Sequence, residues 1–280
     1  MPAAAPLDPP DPPASAQQNL VLCMKWGTKY SPNYVNRLHR MVQRNLTLPF
    51  RLVCFTDDPA GLDPAIQTLP LPELGCPVPE RTPGQWRKLA LWGESLQGLE
   101  GMGLFIDLDS VIVGSLDGYF QHGSPDAVIL ERNWARPLSG LGQTSVFRFR
   151  IGSHPEILAR FRRDPQGFAD RFRFEQHFVT DCLGQPLNFW PRGWTRHFRL
   201  HCLGPDPLRF LRPARLPAGS RIITFPGGPN PGDVVQGKWR PESPPYGGRR
   251  VHLRRQLRSG QWSSFREFVM PVEWIDRYWR

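Results

Sequence analysis

In the stretch GLFIDLDSVIVGSLDGYF, Gly103 to Phe120, the residues able to do chemistry are Asp107 and Asp109. They stand one residue apart between two apolar runs, where a buried strand has no use for charge. In an extended chain, residues i and i+2 share a face, so this spacing turns both carboxylates one way and Leu108 the other. Two carboxylates so close repel unless a proton or a cation lies between them. A divalent ion meets that need at neutral pH. Hard oxygen ligands select Mg²⁺ or Mn²⁺, in sites that leave positions for substrate phosphates. A lone Asp would read as a strand-end residue, and Asp117, before Gly118, reads as a turn residue. The paired pattern favours a metal site.

Two enzyme classes use such a pair. In HAD-like phosphohydrolases the first Asp, here Asp107, is the nucleophile. In nucleotide-sugar glycosyltransferases the pair holds a metal on a diphosphate. The phosphatase motif usually lies on the first strand of its domain and continues with Gly. Here the pair follows several strand–helix units, and Ser110 comes next.

The surrounding elements must aim this pair. Asn19 to Trp26 reads as a strand. Ser31 caps a helix whose first turn takes Pro32, with Tyr34, Val35, Leu38, Met41 and Val42 on one face. PFRLVCFTDD is a second strand and AIQTLPLP a short third. GQWRKLALWGESL reads as a helix, and the strand with the two aspartates follows. DAVILERN and TSVFRFR read as strands, SHPEILARFRRDPQGFADRF as one helix capped by Ser153, and FEQHFVTDCLG as another. From Leu203 to Gly248 the chain is loop-rich around one strand, RIITF. Alternating strands and helices predict an α/β fold with a mostly parallel sheet flanked by helices, which binds ligands beyond the carboxyl ends of its strands. We expect a disordered proline-rich tail over 1–18, one domain over 19–248, and a basic, aromatic segment over 249–280.

The formal charge of +10 favours anionic partners. No run approaches the ~18 apolar residues of a membrane span. The start lacks the basic and apolar regions of a secretory signal. The five cysteines show no CxxC and read as reduced cytosolic thiols, with Cys23 and Cys54 in the core.

The sequence resembles glycosyltransferase family eight, the glycogenin and lipopolysaccharide galactosyltransferase type. WRKLALW followed by GLFIDLDSVIVGSLDGYF resembles that family's KL helix, DxD strand and LDELF-like turn. GQTSVFRFRIGSHPEILARF, FEQHFVTDCLG and ITFPGGPNP resemble its NSGVF strand, DQ helix and late HxxG loop, in order. The opening KWGTKYSPNYVNRLHRMV resembles a bacterial branch of such transferases. The resemblance spans 20–239. It implies a GT-A (Rossmann-like) fold, a nucleotide-sugar donor (a UDP-sugar), Mn²⁺ or Mg²⁺, and retention at the anomeric carbon.

By that resemblance, Asp107 and Asp109 ligate the metal, and Asp107 and Lys88 meet the donor. Glu175 and Gln176 lie at the sugar face as the catalytic pair. Gln143, with Thr144 and Ser145, faces donor or acceptor hydroxyls. Thr28 and Tyr30 lodge the base, and Lys238 reaches the diphosphate. The family's third metal ligand, a His, is missing: Pro226, or Thr224 under a shifted alignment, takes its place. That departure leaves open a nucleotide-sugar-binding protein without turnover.

None of His39, His122, His154, His177, His197, His201 and His252 forms a metal-type cluster, and His39 reads as a surface residue. GWTRHFRLHCLG mixes basic and aromatic residues, but no nucleic-acid fold signature accompanies it, so no nucleic-acid partner is expected. The segment from Arg249 carries eight arginines, three acids and Trp262, Phe265, Phe268, Trp274, Tyr278 and Trp279. That mixture suits either an anionic membrane surface or a terminal helix packed on the domain. The expectation is a cytoplasmic protein with a saccharide or lipid-linked acceptor, peripheral on the inner membrane face if the segment binds lipid.

Overall fold

The apolar runs assemble around one sheet. The computed structural model describes residues 19–81, 83–205, 208–244, 246–259 and 267–280. The proline-rich tail, 1–18, and Trp262 and Phe265 lie outside the described residues. The strands are β1 (Asn19–Lys25), β2 (Phe50–Thr56), β3 (Gln67–Leu69), β4 (Met102–Ile106), β5 (Ser110–Ile112), β6 (Ile129–Arg132), β7 (Gly142–Arg150), β8 (Asn188–Phe189), β9 (Thr195–His197) and β10 (Ile222–Thr224). The main seven-stranded sheet has the order β3-β2-β1-β4-β7-β6-β8. Its pairs are parallel except those of β7, which runs antiparallel to β4 and β6. A small second sheet has the order β5-β10-β9.

Both faces of the main sheet are covered, which explains the near-continuous hydrophobic runs. On one face Val21, Cys23, Leu104 and Ile106 pack with α1 (Pro32–Asn45) and the small sheet. On the other, Leu22, Phe105, Phe147 and Phe149 pack with Trp86, Trp92 and Phe161. All five cysteines are free, and Cys23 and Cys54 are buried. Arg148 on β7 is fully buried and donates to the carbonyls of Tyr119, Phe120 and Ser124. Without those acceptors, its buried charge would be strongly destabilising.

Several elements differ from the sequence expectation. His39 is buried rather than at the surface, edge-on to Phe50, because α1 presents a wide face to the sheet. The expected GQWRKLALWGESL helix is one α turn, α2 (Pro83–Trp86), tightened into a 3₁₀ stretch over Arg87–Trp92. Asp117 opens the short α3 (Asp117–Gln121) and accepts the Thr47 N–H. The single helix expected after Ser153 is two, α4 (Pro155–Arg163) and α5 (Pro165–Arg171), and α4 starts after His154. Pro165 pushes the preceding Asp164 out of helical conformation, to φ −155°, and the Asp164 carboxylate then accepts the Gly167 N–H to start α5. α6 (Glu175–Leu183) forms as expected.

After β10 come α7 (Pro231–Val235), α8 (Arg249–Ser259) and α9 (Glu273–Tyr278). The chain end docks on α1. Trp279 is buried against Tyr34, Arg37 lies 4.0 Å over the Trp279 ring, and Arg37 donates to its carbonyl. α8 leaves Val251, Leu253 and Leu257 exposed among its arginines. Among the described residues no helix is long and apolar enough to cross a membrane.

Candidate active site

β4 ends at Ile106, so Asp107, Leu108 and Asp109 form a turn rather than the extended segment the sequence suggested. The two carboxylates still share one cleft, because the turn is pinned on both sides. The Asp107 N–H donates to the Ser145 carbonyl at 2.8 Å, and the Phe225 N–H donates to the Asp109 carbonyl at 3.0 Å. Leu108 is buried and anchors the turn. The antiparallel course of β7 matters here. It brings that strand's first residues, Gln143 to Ser145, to the carboxyl end of β4, where a parallel neighbour would have placed its last ones.

The cleft encloses about 980 Å³. Its floor comes from the main sheet: Lys29 and Tyr30 after β1, Lys88 from the 3₁₀ stretch, Asp107 and Asp109, Gln143 to Ser145, and Glu175 and Gln176 at the start of α6. Its roof comes from the small sheet and the loops around it: His197, Arg199, Arg209, Pro226, Gly227 and Trp239.

The floor is one interlocked set of charges. Lys88 Nζ donates to Asp107 Oδ1 at 2.7 Å and to the Thr144 carbonyl at 3.1 Å. Tyr30 donates to Asp109 Oδ2 at 3.0 Å, and Thr144 Oγ1 to Glu175 Oε2 at 2.9 Å. Among the described residues, the buried Asp109 Oδ1 and Glu175 Oε1 have no hydrogen-bond partner. Burial, then the Asp107 charge, pushes Asp109 up to about 6, against the pull of Lys29 and Tyr30. Burial likewise lifts Glu175 to about 7, against Lys88. Burial would lower Lys88, but the Asp107 and Glu175 charges outweigh it and hold the ammonium above its ordinary range. Lys88 is therefore a firmly charged, buried cation within reach of three carboxylates.

Other expected positions sit differently. Gln143 lines the cleft, yet its amide is spent on Ser145: Nε2 donates to Ser145 Oγ, and Oε1 accepts the Ser145 N–H. Thr28 is exposed and outside the cleft lining; the neighbouring Lys29 and Tyr30 line it instead, because the chain turns at Gly27. Lys238 is also outside the lining. The main-chain bond from its N–H to the Asp233 carbonyl closes the end of α7, and Trp239 faces the cleft. Of the two positions aligned with the missing His, Pro226 lines the cleft, whereas Thr224 is buried on β10. His197, which no sequence pattern singled out, lines the cleft with Trp134 against its ring; burial and then Arg199 push it down to about 3, so it is neutral.

No family model matches the sequence, and no curated protein matches it. Solved structures do. The chain is similar to galactosyltransferase LgtC in complex with donor and acceptor sugar analogs, with a TM-score of 0.54 at 12% identity, over 92% of this chain and 99% of that one. An active-site mutant of LgtC gives a TM-score of 0.50 at 12% identity, over 89% and 99%. The apo bifunctional glycosyltransferase WbbM gives 0.51 at 12% identity, over 78% of this chain and 47% of that one. At such identity the likeness concerns the fold. The chain has the GT-A fold of family-eight-like glycosyltransferases.

Proposed function

We propose that the chain is a metal-dependent glycosyltransferase that moves a hexose from a nucleotide sugar, a UDP-sugar, to a saccharide or lipid-linked acceptor. The observation that carries this is the Asp107–Asp109 turn at the carboxyl end of β4, opening on the cleft of a GT-A fold with one buried carboxylate oxygen unpartnered. That oxygen supports a divalent ion, since an unpaired buried carboxylate is costly and a cation offsets it. The donor set is hard oxygen, as Mn²⁺ or Mg²⁺ prefers. Among the described residues no group of three His, Cys, Asp or Glu gathers, so Asp107 and Asp109 would hold the ion, with substrate oxygens and water completing its shell. When bound, the ion supplies positive charge where the departing nucleotide gains negative charge.

The chain's own residues then take definite tasks. Tyr30 orients Asp109 and keeps one of its oxygens occupied. Lys88 holds Asp107 in place and offers a dry, fixed positive charge to the donor diphosphate. Glu175, aimed by Thr144, and Gln176 present polar groups to the donor sugar, which suits transfer with retention. The neutral His197 and Trp134 wall the cleft and exclude water. Gln143 fixes Ser145 rather than reaching the donor itself.

We assign residues 19–248 to the transferase domain and 249–280 to an appended segment. Its arginine-rich α8, with exposed Leu253 and Leu257, supports peripheral contact with anionic lipid. The aromatic end, spent on α1, does not. Free cysteines and a nucleotide-sugar donor suit the cytoplasm. Sedimentation with anionic vesicles should retain the wild type and release a variant with the five α8 arginines (Arg249, Arg250, Arg254, Arg255, Arg258) changed to Gln; equal sedimentation of both removes the membrane contact.

The test of function is nucleotide release from a panel of nucleotide sugars with Mn²⁺ and saccharide acceptors. Release that needs both metal and acceptor is the expected result. Donor binding without release would make the chain a non-catalytic binder, and turnover of small phosphate esters with a phosphorylated Asp107 would make it a phosphohydrolase.

A further inference from the structure

The loop between β6 and β7 runs beside α6, and each brings to the cleft mouth an arginine that the reaction above does not use. Loop and helix are tied together. The Gly142 N–H donates to Thr180 Oγ1 at 3.0 Å, and Gln185 Nε2, just past α6, donates to the Gly140 carbonyl at 3.0 Å. The loop is itself a pinned turn. Buried Asn133 accepts the N–H groups of Ala135 and Arg136 at Oδ1, at 3.1 and 3.0 Å, and Ser139 Oγ donates to the Arg136 carbonyl at 2.7 Å. That turn sets Trp134 and Ala135 on the cleft lining and leaves the next residue, Arg136, exposed beside it. The start of α6 repeats the arrangement. Phe174 lines the cleft, and the exposed Arg173 guanidinium lies 5.1 Å over its ring. His177, in the first turn of α6, meets the Phe174 ring edge-on at 5.4 Å between centroids. Burial, then the charges of Arg136 and Arg173, hold His177 below its ordinary range. Both arginine charges therefore reach one place on α6, and the imidazole there stays neutral.

The protein supplies no acid to balance these two charges. Among the described residues, no carboxylate pairs with the guanidinium of Arg136 or Arg173. The carboxylates lining the cleft are engaged deeper in: Asp107 by Lys88, Asp109 by Tyr30 and Glu175 by Thr144. The mouth thus pairs each half-buried aromatic ring, Trp134 and Phe174, with an arginine that has no acid partner. An arginine fork matches an acid group bidentately, and an aromatic ring offers a flat apolar face. A sugar that bears an acid group presents both complements, an apolar ring face and an anion. We propose that Arg136 and Arg173 select an acidic acceptor, a saccharide that lies against Trp134 or Phe174 and offers a carboxylate or a phosphate to the two guanidinia. The inference rests on the transferase reading for the presence of a saccharide in the cleft, and it names the class of that saccharide.

The experiment is calorimetric titration of the full chain with two matched pairs of probes. One pair is trigalacturonate and its methyl ester, which keeps the skeleton and loses the charge. The other is maltotriose phosphate and maltotriose. The proteins are wild type, R136Q, R173Q, the double variant and R163Q, whose exposed arginine on α4 lies outside the cleft lining. Arg136 and Arg173 are exposed, so their variants should fold, which melting temperatures check. Wild type should bind at least one acid about tenfold more tightly than its neutral match. R136Q and R173Q should each lose roughly threefold for that acid, and the double variant should bind both forms alike, while R163Q follows wild type. A preference within the first pair alone makes the acid group a carboxylate, and within the second alone a phosphate; a preference in both means that either is accepted. Equal binding of acid and neutral forms by wild type, or no binding of either, overturns the proposal. So does a preference that survives in the double variant or falls equally in R163Q. Weakened binding of UDP with Mn²⁺ in the double variant would place the two charges on the donor and overturn it as well. Failure of the transferase reading looks different: an acid preference lost in the double variant, with no nucleotide released from any donor beside these saccharides, would sink the reaction and leave the acid recognition standing.

Discussion

The floor and the roof of the cleft are built on opposite plans. The floor is buried and locked: Lys88, Asp107, Thr144 and Glu175 hold one another through bonds of 2.7 to 3.1 Å, and Tyr30 holds Asp109. The roof rests on the small sheet but presents exposed groups to the cleft, Arg199 among them. A preorganised floor suits the part of a reaction where charge shifts between fixed groups, since its dipoles need not reorganise. A more exposed roof suits a substrate that must enter and leave. Glu131 belongs to the seam between them. It sits on β6 beside Thr195 of β9, buried, with Oε2 unpartnered among the described residues.

On this contrast, floor substitutions should cost far more than roof substitutions. The largest expected effect is from Lys88→Met, which removes the floor's buried cation and should lower turnover by ~10²-fold or more, with little rescue by Arg. A loss under about threefold, no more than a surface charge would give, would break the comparison. Next comes Tyr30→Phe. It frees Asp109 Oδ2 from its hydroxyl donor and should weaken Mn²⁺ by roughly tenfold, as loss of a group that orients a metal ligand does. Metal titration followed by electron paramagnetic resonance reads that directly.

A pH profile sharpens the same point. Asp109 is lifted to about 6, so protons compete with the ion below that value, and apparent Mn²⁺ affinity should climb as pH rises through about 6 and then level off. A flat profile between pH 5 and 8 would mean that the carboxylate is not a ligand. The smallest effect concerns the seam. Burial raises Glu131 to about 8, so the folded state holds a proton that the unfolded chain has already lost above the ordinary carboxyl range. Stability should therefore fall as pH rises from there through about 8. Glu131→Gln should remove that slope in denaturation curves while leaving UDP affinity unchanged.

The grouping of Lys88, Asp107, Asp109, Glu175 and Gln176 in one cleft was legible because each lies in a short pattern. DLD sits between apolar runs, KL precedes it, and EQ opens a helix. The face-sharing argument for Asp107 and Asp109 led to one cleft by the wrong geometry, since a turn pinned by Ser145 and Phe225 does what a strand was expected to do. Gln143 looked like a substrate contact because nothing in a linear pattern reveals that its amide bonds the residue two places on. The roof was legible only at Pro226, through the late-loop resemblance. His197 at the end of β9, Arg199 just after it, and Trp239 after α7 are brought to the cleft by strands of three residues whose pairing has no periodic signal. Lys238 illustrates the limit: a sequence places a lysine near a loop, but whether it or Trp239 faces the cleft depends on how α7 ends. The expected parallel pairing holds in the half β3-β2-β1-β4, whose order no pattern in the sequence revealed. The reversal at β7, which delivers Ser145 to Asp107, was not expected either.

Calorimetric titration of UDP into wild type and D109N, each with and without Mn²⁺, tests the central claim most directly. The account predicts that wild type binds UDP at least ~10-fold more tightly with Mn²⁺ than without it, and that D109N shows no such difference while keeping its fold. Metal-enhanced UDP binding of equal strength in both proteins would contradict it.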